Sequence, residues 1–354
     1  MHCRTRLILL LAVLGVAAWL HTGACGGEDF DFRRAHGFYA LMEYKDATEA
    51  FEKYLADFPK SERADQARLL LAESYYQLKQ YPEAATAYAC FIKEYPTSPR
   101  RTDALLRAAK VNFVIKKPEA SLSAAETFLK ENRAHLGAAG APEQLPQQVA
   151  TALYYAGEAS LALKNAAQAR TYWEELLKSY PDSKLAPDAG EGLGWIHFDA
   201  KEYEQALARF KLTAAAPGHP RAAWSKLMEG RTLAALKKTD DALAAFKAAP
   251  GLGGSTKELE AESAMRTAEA LAGAERLPDA LNAYKRLAGA FPDAAVTLPA
   301  LGVGALAWME AQHQAEALAL ADLYLKIGAA APDRPAILRL RARALAALSD
   351  EAEA

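Results

Sequence analysis

The chain has 354 residues, 51% of them hydrophobic and 9% aromatic, with a formal net charge of -2. That is enough apolar side chain for a stable core, and the near-balance of interspersed bases and acids argues against a nucleic-acid partner, which usually requires a basic face. Alanine dominates the aliphatic share, β-branched residues are sparse, and no stretch alternates apolar and polar over a strand's length, so the mature chain reads as all-α.

The N-terminus stands apart. Met1 to Arg6 carries two positive charges, Leu7 to Leu20 is apolar and uncharged, and Thr22-Gly23-Ala24 supplies small residues. This is the three-part pattern of a secretion signal over residues 1–24. Its apolar run is short for a spanning helix, which needs about 20 residues. Cys25 follows directly. Thr22-Gly23-Ala24-Cys25 resembles a lipoprotein processing site, in which the cysteine becomes the acylated first residue and residues 25–27 form the lipid-anchored start. Thr22 stands where leucine is usual, and His21 is an atypical neighbour. Gly26 stands where aspartate would argue for inner-membrane retention, so the resemblance implies the periplasmic face of the outer membrane. Cleavage to a soluble product and an uncleaved N-terminal anchor are the alternatives, and all three put the body outside the cytoplasm. Cys3 leaves with the signal and Cys25 is the lipidation candidate. Cys90 is then alone within a helix and is expected to be a buried small hydrophobe.

From residue 28 onward the chain repeats. Tyr44-Lys-Asp-Ala-Thr-Glu-Ala-Phe-Glu-Lys-Tyr-Leu-Ala-Asp-Phe-Pro59 is echoed by Tyr81-Pro-Glu-Ala-Ala-Thr-Ala-Tyr-Ala-Cys-Phe-Ile-Lys-Glu-Tyr-Pro96, and again by Ala166–Pro181, Tyr203–Pro217 and Leu277–Pro292. Weaker copies lie at Lys117–Asn132, Thr239–Gly254 and Gln314–Ala329. Aligned on the central alanine, the copies give Ala47, Ala84, Ala120, Ala169, Ala206, Ala242, Ala280 and Ala317. Twelve residues earlier stand Ala35, Ala72, Ala108, Gly157, Gly194, Gly230, Ala268 and Ala305. Two antiparallel helices can cross closely only where their side chains are small, which explains both sets. Four residues after the alanine come Phe51, Tyr88, Trp173, Phe210, Phe246 and Tyr284, with Ala124 and Ala321 as exceptions. These rings are expected to fill the gap toward the next repeat. Pro59, Pro96, Pro181 and Pro292 end the second helix, and Ser61, Ser98 and Ser183 are placed to cap the next.

Repeats start near residues 28, 65, 101, 150, 187, 223, 261 and 298. One interval is longer than the rest, and the extra residues around His135–Pro146 predict a surface loop at about 133–147. Residues 28–334 thus hold eight repeats. Residues 335–354 form a capping helix and tail, with Ala342 at the small position.

Catalytic, cofactor and metal sites are not found. There is no His-Glu-x-x-His, phosphate loop or nucleophile elbow. Pro250–Lys257 is glycine-rich but has the wrong spacing and no preceding strand, so it reads as a turn. His197 falls at an aromatic core position, and a satisfied core histidine is expected.

The small–aromatic–Ala–aromatic–Pro pattern resembles the tetratricopeptide repeat over about residues 28–354. The aromatic–Pro–x–Ser endings, Phe58–Ser61 and Tyr95–Ser98, are similar to those of bacterial periplasmic members, such as the barrel-assembly lipoprotein and the Tol–Pal partner. The resemblance implies a right-handed α-solenoid of about eight helix–turn–helix repeats plus a C-terminal capping helix. It implies a non-enzymatic scaffold that binds one or more envelope proteins, with no cofactor and no small-molecule substrate. A soluble periplasmic or secreted adaptor of a cell-wall enzyme is the alternative. In this family the first helix of each pair lines the concave face. That implies a partner-binding set of Phe32, Tyr39, Tyr76, Phe113, Tyr154, Trp195, Phe198, Trp224 and Arg231, with Trp195 to Trp224 as the hot spot. His36, Leu69, Glu73, Leu105, Glu158, Leu227, Met265, Glu269, Leu306 and Met309 belong to the same implied face. The Lys/Asn clamp of chaperone-tail binders is absent, because its positions hold Phe32, His36, Leu69, Glu73, Leu105 and Ala109.

Overall fold

The computed structural model describes residues 27–137 and 142–353; the signal segment and Cys25 lie outside the described residues. The described chain forms two compact units, one ending at Ala186 and one beginning at Pro187. Both consist of antiparallel helix pairs, with no strand among the described residues.

The first unit contains α1 (Glu28–Ala40), α2 (Tyr44–Asp57), α3 (Ala64–Gln77), α4 (Tyr81–Glu94), α5 (Arg101–Val114), α6 (Pro118–Asn132), α7 (Leu145–Ala162) and α8 (Ala166–Ser179). The second contains α9 (Ala186–Asp199), α10 (Tyr203–Ala214), α11 (Ala222–Ala235), α12 (Thr239–Ala248), α13 (Lys257–Gly273), α14 (Leu277–Ala290), α15 (Thr297–Glu310), α16 (Gln314–Ile327) and α17 (Arg334–Glu353). Odd numbers up to α15 are first helices, even numbers are second helices, and α17 caps the array.

The same turn joins the helices of all eight pairs. Met42, Lys79, Lys116, Lys164, Lys201, Lys237, Glu275 and Gln312 all have φ between 58° and 63°. The N–H of the following residue returns to the carbonyl five positions back, as in Glu43 to Phe38 (2.9 Å), Glu202 to His197 (2.8 Å) and His313 to Trp308 (2.8 Å). This is a Schellman closure, which satisfies the last carbonyls of the first helix. It usually takes glycine, and here none of the eight residues is glycine.

Counted from that turn, the third repeat sits one residue off the alanine alignment. Ala120 is exposed, whereas Ser121 is fully buried and its hydroxyl donates to the Ala109 carbonyl at 2.8 Å. The small pair is therefore Ala109 with Ser121, not Ala108 with Ala120, and the ring position is Ala125 rather than Ala124. Lys116-Lys117-Pro118 moved the match, because an alanine adjacent to the true position satisfied a pattern keyed on alanine.

The rings four residues past the second small site pack back onto the small residue of their own first helix. A Cβ on Gly194 would lie 2.7 Å from the Phe210 ring, and one on Gly230 would lie 2.5 Å from the Phe246 ring. They also reach the next repeat, as expected: Tyr284 meets Trp308 of α15 edge-on at 5.7 Å, and Phe210 shares a core cluster with Met228 of α11. Phe51, Tyr88, Trp173, Phe210 and Phe246 are at most 2% exposed.

Helices α2, α4, α8 and α14 end at Asp57, Glu94, Ser179 and Ala290, and an aromatic residue, Phe58, Tyr95, Tyr180 or Phe291, stands between each end and its proline. Ser61, Ser98 and Ser183 do not cap the next helix. They brace the turn before it by accepting from the N–H of Arg63, Arg100 and Leu185 at 3.0, 3.2 and 3.3 Å. Cys90 is half-buried rather than buried. The helix after the inserted loop starts at Leu145, ahead of the expected 150, and buries Leu145 and Val149.

Candidate functional site

The first-helix positions expected to line one face divide by their place in the turn. Phe32 is 7% exposed and packs edge-on against Phe51 and Tyr54, with the Arg63 guanidinium 5.1 Å above its ring. It is core, not a binding surface. Leu69, Leu105, Leu227 and Met265 are buried as well. Packing among the repeat helices claims these positions.

Tyr39 and Tyr76 are half-buried and lie about two turns later. Each ring leans on the first ring of its second helix, Tyr39 on Tyr44 at 5.7 Å and Tyr76 on Tyr81 at 5.5 Å. The polar groups of this face are mutually satisfied in the first unit. Tyr39 donates to Glu73 at 2.9 Å, and Arg107 pairs with the other Glu73 oxygen at 3.3 Å. Burial, aided by the Glu73 charge, pushes the Tyr39 hydroxyl up to about 12. Lys110 sits 5.2 Å over the Tyr76 ring. Phe113 packs on Tyr155, and Tyr154 packs on Tyr155 while its carbonyl accepts from the Trp173 indole at 3.3 Å.

The second unit differs. Trp195 and Trp224, on α9 and α11, stack with ring centroids 6.4 Å apart and planes 29° apart. Trp195 also meets Phe198 edge-on at 6.2 Å and Phe210 at 5.9 Å. The Arg231 guanidinium lies 5.5 Å over the Phe198 ring. These four residues form one half-buried strip across two first helices. Stacked rings of this kind carry roughly 0.5–1.5 kcal/mol beyond the area they cover, and cation–π pairs of this kind add a comparable amount.

Beside the strip opens a cavity of about 550 Å³, lined by Phe198, Arg231, Lys237, Phe246, Arg266 and Glu269 among others. Among the described residues no carboxylate lies within ion-pair distance of Arg231; its polar contact is to the Met228 sulfur at 3.3 Å. Burial, followed by the positive charge of Arg266, pulls Arg231 below its ordinary range. Arg266 shows the opposite balance. Burial opposes its charge, but Glu269 and Glu262, each at 2.8 Å, outweigh it and raise its pKa. The cavity lining thus holds Arg266, ion-paired on its own helix, Lys237, and Arg231, which has no ion-pair partner among the described residues.

His197 is 5% exposed and its Nδ1 lies 2.6 Å from Glu202, so it is a satisfied core residue. Arg266 and Lys237 were missed from sequence. The Glu262–Arg266–Glu269 spacing reads as an ordinary solvated helix face, and Lys237 reads as a turn residue. Glu191 was also missed. It is 1% exposed, pairs with Arg221 at 3.0 Å, and has its carboxyl raised by burial, with Arg221 opposing.

Residues 32–117 match the model of an outer membrane lipoprotein family, and residues 151–183 and 227–295 match tetratricopeptide-repeat models. No curated protein matches the chain. Among solved structures, the apo form of RapI is similar with a TM-score of 0.55 and 14% identity, over 91% of this chain and 86% of that one. The C-terminal part of a tetratricopeptide-repeat-containing protein from Cytophaga hutchinsonii is similar with a TM-score of 0.53 and 17% identity, over 76% of this chain and 99% of that one. At these identities the likeness carries the fold, and the helix pairs are tetratricopeptide repeats.

Proposed function

We propose that this tetratricopeptide-repeat chain is a non-enzymatic protein-interaction scaffold of the cell envelope, and that the first-helix face of its second unit grips the partner. The observation that carries the reading is the strip Trp224–Trp195–Phe198–Arg231, which ends in a cavity of about 550 Å³ with an arginine that has no ion-pair partner among the described residues. Rigid rings give large contact area at low entropic cost, and interface hot spots are rich in Trp, Tyr and Arg. A half-buried guanidinium gains most from an anionic group that reaches it away from water. The best-fitting occupant is a peptide segment or helix that lays an apolar side chain on the tryptophans and an acidic side chain on Arg231.

Two observations support the envelope. Residues 32–117 match the outer membrane lipoprotein model. Residues 1–24 read as a secretion signal followed by Cys25, the candidate for acylation and membrane attachment.

The test is site-specific photocrosslinking in intact cells. A photoreactive residue at Phe198 should trap one or more envelope proteins. The same residue at Leu212, which is exposed on a second helix, should not. Equal trapping from both sites, or none from Phe198, contradicts the assignment. Palmitate labelling lost in Cys25→Ser checks the anchor separately.

A further inference from the structure

The capping helix α17 leaves bare a face that every earlier first helix covers. In α15, Leu301, Ala305 and Trp308 are 0%, 0% and 5% exposed, with the Trp308 ring edge-on to Tyr284 of α14 at 5.7 Å. One repeat later in sequence the same register positions are Leu338, Ala342 and Leu345. Leu338 is 46% exposed, Leu345 is 40% exposed, and Ala342 is exposed too. The expected small position is therefore uncovered, and the helix docks instead through Ile337, Leu340 and Ala344. No helix among the described residues covers this face. With Ser349, which is also exposed, the bare residues recur at intervals of four, three and four, the spacing of a two-stranded helical seam.

The charges on α17 say what fits there. Arg334, Arg339, Arg341 and Arg343 occupy its N-terminal half, and its acids, beginning at Asp350, lie in the last turns. This order opposes the helix dipole, which favours acids at the start and bases at the end. Arg334 and Arg341 are engaged internally, with the Leu325 carbonyl at 2.8 Å and with Asp322 at 2.6 Å. Arg339 and Arg343 are exposed, and neither forms an ion pair among the described residues. At about 100° per residue, Arg339, Arg343 and Asp350 fall on one flank of the bare stripe. In a two-fold antiparallel pair the same flanks meet. Arg339 and Arg343 of one copy then face Asp350 of the other, and Leu345 meets itself at the axis.

We propose that this face is covered by the α17 of a second copy, in an antiparallel homodimer that supplies what a second helix supplies within each pair. Ala342 lets the helices approach closely. The arginines set direction, because a parallel pair would place the two arginine-rich N-terminal halves side by side and the two acidic ends together. The seam is short, so the dimer is weak and concentration-dependent.

The experiment is analytical ultracentrifugation of the full chain, purified in mild detergent, over a wide concentration range. The expected result is a reversible monomer–dimer equilibrium. Leu345→Arg should weaken it by roughly tenfold or more. Arg339→Glu with Arg343→Glu gives an all-acidic flank, and Asp350→Lys gives an all-basic one. Each variant alone should be monomeric, and an equimolar mixture should form a heterodimer. These positions are exposed, and unchanged helical circular dichroism confirms that the variants fold. A chain monomeric at every concentration overturns the proposal. So does a dimer indifferent to all three variants, or a mixture that fails to associate.

Discussion

Gly157 lies directly beneath Trp173: a Cβ on its backbone would sit 2.2 Å from the indole nitrogen and 2.6 Å from Cδ1. The indole is fully buried and tied to the Tyr154 carbonyl, so it has no easy retreat. Gly157→Ala should destabilise the first unit by about 1–3 kcal/mol, the usual cost of overpacking. Gly289 in α14 meets nothing within 4 Å. There the same change should stabilise by about 0.5–1 kcal/mol, the helix-propensity difference. Urea unfolding of the two variants checks this, and shifts of the same sign in both would contradict the packing argument.

Lys201 occupies the left-handed turn between α9 and α10 with φ at 61°. A side chain there costs roughly 1–2 kcal/mol, and glycine removes that cost while adding freedom to the unfolded chain. Lys201→Gly should therefore stabilise by about 0.5–1 kcal/mol. Lys201→Val, whose branched Cβ fits that region worst, should destabilise. The thermal midpoints of the two variants give the comparison.

Glu191 is buried beside an exposed arginine, and burial raises its carboxyl above the ordinary range. The fold prefers the protonated form. The associated stability is full below the unfolded-state value of about 4.3 and is lost as pH rises through the higher folded-state value. Glu191→Gln is neutral at every pH, and Arg221 stays solvated without it. The variant should be more stable than the natural chain at neutral pH, with the advantage shrinking below about pH 4. Thermal unfolding across that range checks it, and a pH-independent difference would show that the carboxyl is not raised.

The pairing of helices was legible because each pair repeats one physical requirement, a small residue on each side of a crossing. Gly157, Gly194 and Gly230 mark it even without a consensus. The third repeat was misaligned because a serine can serve as the small residue, and Ala120 beside Ser121 satisfied the pattern falsely. The fate of the face residues was less legible. Phe32 and Trp195 are both aromatic residues on first helices, yet one is core and the other half-open. Which of them is covered depends on distant side chains, Tyr54 of the same pair and Arg63 of the following turn in one case and Trp224 of the next pair in the other. Arg231 could be named from its helix position, but its want of an ion-pair partner could not. That depends on Glu262 and Glu269 being held by Arg266, a choice between neighbours that spacing alone leaves open.

The central claim is that the tryptophan–arginine strip is the partner's seat. Its direct measurement is quantitative capture of envelope proteins by the natural chain and by Trp195→Ala, Trp224→Ala and Arg231→Glu, each shown by circular dichroism to be folded. The same captured proteins should fall by tenfold or more in all three variants, the loss expected for hot-spot residues at about 1.4 kcal/mol or more each. Full capture by all three folded variants would contradict it.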